Sequence, residues 1–188
     1  MNRLAIFASG SGSNAENIIH YFSNSETIQI AVIVINNPNA GVIERANRLQ
    51  VPYIYFSNEA FKNGHEVASY LQAQGITHII LAGFLRLISL PLLQAFPHRI
   101  VNIHPALLPQ FGGKGMHGMH VHEAVIASGS LESGITIHEV NERYDEGKSL
   151  FQAKIALAKN ETPESLAAKI HELEQQYFPK TIESWLTR

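Results

Sequence analysis

Short apolar runs rich in β-branched residues recur along the first half of the chain, at residues 4–8, 28–35, 53–56 and 78–82. Each has strand length and little internal alternation, the signature of a strand buried on both faces. Residues 15–22, 42–49 and 59–74 lie between them and space their apolar positions as helices do. Strands separated by helices predict a parallel sheet with helices on both faces. The second half reads differently. Residues 100–104 predict another strand, and 134–140 and 150–157 two more, joined by a turn-rich link over 141–149 that suits an antiparallel hairpin. A last helix is expected over 162–187. Thr162 can cap it, Pro163 suits its first turn and Glu164 complements its dipole. Leu166, Ile170, Leu173 and Tyr177 would form its apolar face, and Pro179 is expected to kink or restart it. The reading is one α/β domain over residues 1–188, a mostly parallel sheet with an antiparallel C-terminal part.

Composition narrows the function classes. Of 188 residues, 45% are hydrophobic and 16% charged, so a packed core is expected rather than disorder. The formal net charge is −2 and no lysine–arginine run occurs, which opposes nucleic acid as a partner. The chain has no cysteine, which removes disulfides, thiolate nucleophiles and cysteine metal sites together. No apolar stretch approaches the roughly 18 residues of a membrane span, so a cytoplasmic protein without a membrane partner is expected.

Two segments carry candidate chemistry. The first strand runs into Ser9-Gly10-Ser11-Gly12-Ser13-Asn14, directly before a helix. Glycines allow close backbone approach and a helix start offers unpaired N–H groups, so this turn can cradle a phosphate. A strand-to-helix turn in any α/β protein also favours glycine and serine. A dinucleotide is disfavoured, because Ala15 replaces the third glycine of that pattern and the second strand ends in Asn36-Asn37 rather than an acid. The other segment is Asn102-Ile103-His104-Pro105. Residues two apart on a strand share a face, so Asn102 and His104 aim together, and Pro105 puts both at the strand's carboxyl end. Ligands of open α/β sheets bind there. A histidine so placed can be structural; with an amide beside it, chemistry is equally in view.

On these motifs the chain resembles the folate-dependent formyltransferases. The resemblance spans almost the whole chain: the Gly10–Asn14 turn, Ala82-Gly83-Phe84-Leu85-Arg86, Asn102-Ile103-His104-Pro105 with Leu107-Leu108-Pro109, Gly134-Ile135-Thr136-Ile137-His138 and Tyr144-Asp145-Glu146-Gly147. It implies a single-domain Rossmann-like formyltransferase fold. The glycine turn and the length point within the family to members that formylate glycinamide ribonucleotide. The implied co-substrate is 10-formyltetrahydrofolate, with no metal. Asn102, His104 and Asp145 would be catalytic, and Asp145 is expected to raise the pKa of His104 and keep it protonated. Gly12, Ser13, Asn14 and Glu174 would bind the ribonucleotide. Leu85, Arg86, Leu87, Ile88, Asn102, Val140 and Tyr144 would line the folate pocket.

Some members carry an arginine within the stretch matching residues 61–65; this chain has none there, and Lys62 is the expected substitute. The glycine-rich loop 110–118 suits a mobile flap, or an ordinary surface loop. His117, His120 and His122 suggest zinc at first sight, yet no cysteine is present and no clear carboxylate partner accompanies them at ligand spacing. The resemblance instead sets His120 and His122 near the substrate. Relatives that formylate methionyl-tRNA or hydrolyse the formyl folate carry a further domain, for which the expected elements leave no room. A non-catalytic nucleotide-binding module is the remaining alternative, and it has no need of Asn102, His104 and Asp145 together.

Overall fold

The computed structural model describes residues 1–187. Seven strands order as β3-β2-β1-β4-β5-β6-β7 in one sheet. By contact the chain divides into two compact units, Met1–Asn102 and Ile103–Arg188.

The first unit contains β1 (Asn2–Ala8), α1 (Ser13–Phe22), β2 (Ile28–Ile35), α2 (Val42–Arg48), β3 (Tyr53–Tyr55), α3 (Asn58–Asn63), α4 (His65–Ala73), β4 (His78–Leu81), α5 (Leu90–Ala95) and the start of β5 (Ile100–His104). Its strand pairings are all parallel. Leu4, Ile6, Phe7, Ile33, Ile79 and Ile80 are fully buried, which explains the unbroken apolar runs of β1, β2 and β4. Burying each such side chain contributes roughly 1.5–3 kcal/mol. Phe7, Phe61 of α3 and Phe84 after β4 pack as an aromatic cluster, with Phe7 5.5 Å from Phe61 and 5.3 Å from Phe84. The expected helix over 59–74 is two helices. Gly64, at φ 81°, ends α3 and begins α4, and a Cβ there would collide with the Ser89 hydroxyl.

The second unit contains α6 (Met119–Ala127), β6 (Glu132–Glu139), β7 (Ser149–Ala156) and α7 (Pro163–Leu186). β6 and β7 form the expected antiparallel hairpin. Every residue from Ser133 to His138 is buried, whereas most of β7 alternates between partly buried and exposed positions. Thr162 caps α7 in a reciprocal capping box with Ser165. Pro179 does not restart the helix: α7 continues through it, with Phe178, Pro179, Ile182 and Trp185 buried. Leu173 and Tyr177 are only partly buried, so the core stripe turns to these later residues instead.

Candidate active site

Strand β5 ends in His104, whose side chain is buried. The Nε2–H donates to the carbonyl of Phe111 at 2.7 Å, and Nδ1 lies 3.6 Å from Asp145 Oδ2. The other Asp145 oxygen lies 3.6 Å from Nε2 of His138, buried near the end of β6. The ring of His138 is oriented through Nδ1–H, which donates to the carbonyl of Glu139 at 2.9 Å. Gly113 N–H donates to Asp145 Oδ2 at 2.9 Å. One carboxylate is thus shared among two buried imidazoles and a backbone amide. Both loops that deliver these groups are held in uncommon backbone states. Phe111 has φ 54° and Asp145 φ 58°, in the left-handed region that a bulky side chain such as phenylalanine seldom adopts.

Electrostatics correct one expectation. Burial, with His138, lowers the His104 pKa against the opposing pull of Asp145, the Phe111 carbonyl and Glu174, which favours a neutral resting imidazole near pH 7. For Asp145, burial pushes the carboxyl up, but His138, His104 and the Gly113 N–H outweigh it and hold it below the usual range. Asp145 is therefore ionised while its neighbour His104 is not. His122 of α6 is also buried and lowered by desolvation, against an opposing pull from Glu174. Its Nδ1 has no hydrogen-bond partner among the described residues. Glu174, on α7, has a side chain 14% exposed and lies 3.3 Å from Nδ1 of His171.

A cavity of about 540 Å³ opens beside this group, walled by Leu108, Pro109, Gly112, Gly113, Tyr144 and Asp145. That volume suits a small organic ligand. Its Leu108 wall is fixed from behind. Thr136 Oγ1 donates to the carbonyl of Ala106 at 2.7 Å and accepts from Leu108 N–H at 3.0 Å, while Gln152 donates to the Leu108 carbonyl at 3.0 Å. Both backbone groups of Leu108 are thereby satisfied by side chains of the hairpin.

The remaining expected residues lie in the first unit. Gly12, at φ 79°, caps α1, and Ser13 and Asn14 begin that helix. After β4, Ile88 is buried, whereas Leu85 and Leu87 are 50% and 41% exposed and leave apolar surface open to a ligand. That loop is tied to the end of β1: Leu85 N–H donates to Ser9 Oγ at 3.1 Å, Ser9 to Asn36 at 2.7 Å and Asn36 to Asn58 at 2.9 Å. The asparagine that argued against a dinucleotide is thus a strut. Lys62 sits in the last turn of α3 and is exposed.

Comparison with known proteins decides the family. The formyl transferase family model matches residues 2–182. A phosphoribosylglycinamide formyltransferase of Bacillus subtilis is 35% identical, over 99% of this chain and 95% of that one. The chain belongs to the formyl transferase family. Another relative, the chloroplastic phosphoribosylglycinamide formyltransferase of Arabidopsis thaliana, is 42% identical over 96% of this chain but only 64% of its own length. A second chloroplastic relative, from Vigna unguiculata, is covered over 60%, so this chain spans about three fifths of these two proteins. Among solved structures, the Bacillus halodurans phosphoribosylglycinamide formyltransferase superposes with a TM-score of 0.90 at 34% identity, covering 100% of this chain and 96% of that one. In this formyl transferase, His104 and Asp145 are brought together and Asn102 precedes His104 by two positions on β5. Val140 is half-buried just after β6, on the loop that carries Tyr144 to the cavity. Sequence reasoning had Thr136 and His138 only within a motif, without a role, and did not find the Phe111 carbonyl. The alternation that paired Asn102 with His104 also puts Thr136 and His138 on one face of β6 and could have found them.

Proposed function

We propose that this chain transfers the formyl group of 10-formyltetrahydrofolate to the amine of 5-phosphoribosylglycinamide, giving formylglycinamide ribonucleotide and tetrahydrofolate in de novo purine biosynthesis. The observation that carries the reading is a buried His104 whose Nδ1 lies 3.6 Å from Asp145 at a ligand-sized cavity, in a chain of this family. We read residues 1–188 as one formyltransferase domain acting on small molecules in the cytoplasm. No described helix is long and apolar enough to cross a membrane.

Attack of the neutral amine on the formyl carbon forms a C–N bond and pushes the carbonyl electrons onto oxygen. The Asn102 amide is the donor suited to that oxyanion. The new ammonium centre must lose a proton, and the neutral imidazole of His104 accepts it. Asp145 stabilises the imidazolium so formed. Collapse breaks the bond to the folate nitrogen, and His104 returns the proton to that leaving nitrogen. In this sequence His104 serves first as base and then as acid, which fits a lowered pKa better than the protonated resting state that the resemblance implied. Gly12, Ser13 and Asn14 would hold the phosphate and ribose, and Glu174 the glycinamide end. Leu85, Arg86, Leu87, Ile88, Asn102, Val140 and Tyr144 would accommodate the folate, with Lys62 offering a cation to its acidic tail.

Product analysis with 10-formyltetrahydrofolate tests this. Formylglycinamide ribonucleotide should appear in step with tetrahydrofolate. Formate released at the same rate without the amine would make the chain a hydrolase, and formylated methionyl-tRNA would overturn the acceptor.

A further inference from the structure

We infer that Arg45 is a positioning residue for the substrate phosphate, acting through the carbonyl of Ser11 rather than by touching the anion. The inference rests on the proposal that the phosphate lies at the turn before α1.

Three successive carbonyls of that turn are occupied. Gly10 accepts from Val42 N–H at 3.1 Å, Ser11 from Arg45 Nε at 2.8 Å, and Gly12 from Glu16 N–H at 2.9 Å. In a planar trans peptide the C=O of one residue and the N–H of the next point in opposite directions. Fixing these carbonyls therefore turns the N–H groups of Ser11, Gly12 and Ser13 the other way. With Gly12 in the left-handed conformation, such a succession forms a concave set of donors suited to an anion. A flip of the Ser11 peptide would replace the Gly12 N–H with an oxygen and repel a phosphate.

Arg45 holds that plane with an anchored side chain. While Nε serves Ser11, another guanidinium nitrogen pairs with the carboxylate of Glu16, in the first turn of α1. Arg48 grips the other Glu16 oxygen at 2.5 Å. One planar group thus ties the peptide before the turn to the helix after it. Lysine carries its three donors on a single nitrogen, without the fixed fork of a guanidinium, and so does not hold two separated acceptors in set directions. The contact is close along its length, because a Cβ on Gly12 would enter the Val42 side chain.

The test is steady-state kinetics of the full chain with Arg45→Met, Arg45→Lys and Glu16→Gln. Two acceptors are compared, phosphoribosylglycinamide and its phosphate-free riboside. Losing a charge-assisted hydrogen bond that sets a binding geometry is expected to raise KM for the ribonucleotide about tenfold. The values of kcat and of KM for the folate should stay within about twofold, and kcat/KM for the riboside should not change. Lysine should fail to rescue, and Glu16→Gln should raise the same KM by a smaller factor. A ribonucleotide KM within about twofold of wild type, rescue by lysine, or an equal loss with the riboside would overturn the role of Arg45. Should both Arg45 variants fail to fold, an unchanged KM in Glu16→Gln overturns it alone. Wild-type enzyme that uses both acceptors equally would instead defeat the phosphate reading on which the inference stands.

Discussion

At His104 two demands meet. Desolvation withholds a proton from the resting imidazole, and Asp145 stabilises the proton once it arrives. His104→Ala should therefore reduce kcat by roughly 10²- to 10⁴-fold, the usual worth of a positioned proton carrier, with ribonucleotide affinity by calorimetry largely kept. Turnover within a few-fold of wild type would remove His104 from the chemistry. Asp145→Asn deletes a partner that raises the His104 pKa, so that already depressed value should fall further. Histidine titration by NMR in both proteins would show it, and an unchanged or raised value would contradict the coupling. The placement of Asn102 and His104 on one strand was legible because alternation and Pro105 are local facts. The charge state of His104 was not. It depends on the Phe111 carbonyl, on His138 and on burial contributed by residues remote in sequence.

Among the elements, those whose apolar pattern is long and regular were legible, and β2 and β5 occur at the expected residues. Short or mixed ones were not. Helix α5 is six residues long with a proline near its start, and α6 follows a glycine-rich loop with little separation of apolar from polar faces. Amphipathic spacing also hid the break at Gly64, because α3 and α4 both place apolar residues inward. Replacing Gly64 by Ala should destabilise the fold by about 1–2 kcal/mol, from the positive φ and the contact with Ser89. Denaturant unfolding would measure it, and an unaltered midpoint would mean that the joint relaxes freely. At the first turn, Gly12→Val combines a positive φ with a collision against Val42. It should raise KM for the ribonucleotide far more than KM for the folate. Equal effects on the two would make the turn a structural element only.

For the whole molecule, acid is the expected weakness. His78, His104 and His122 all have folded pKa values below the ordinary 6.5, His78 at about 4 through burial and then the charge of Arg99. The unfolded chain therefore takes up protons first on acidification. Stability is fully present above about pH 6.5 and declines as pH falls, for His78 until about 4. Melting temperature should drop between pH 7 and 5, and His78→Gln should flatten part of that slope. A pH-independent melting temperature over this range would show that these groups titrate alike in both states. The outer strands of the sheet carry a different consequence. β3 is three residues long, but β7 has eight and, among the described residues, pairs only with β6. Its free side would be a template for a second copy of the chain, were it not marked by Lys154, which is exposed and reaches Glu132 at 2.8 Å. That lysine guards solubility rather than the fold: Lys154→Val should leave activity intact while making light scattering rise with protein concentration.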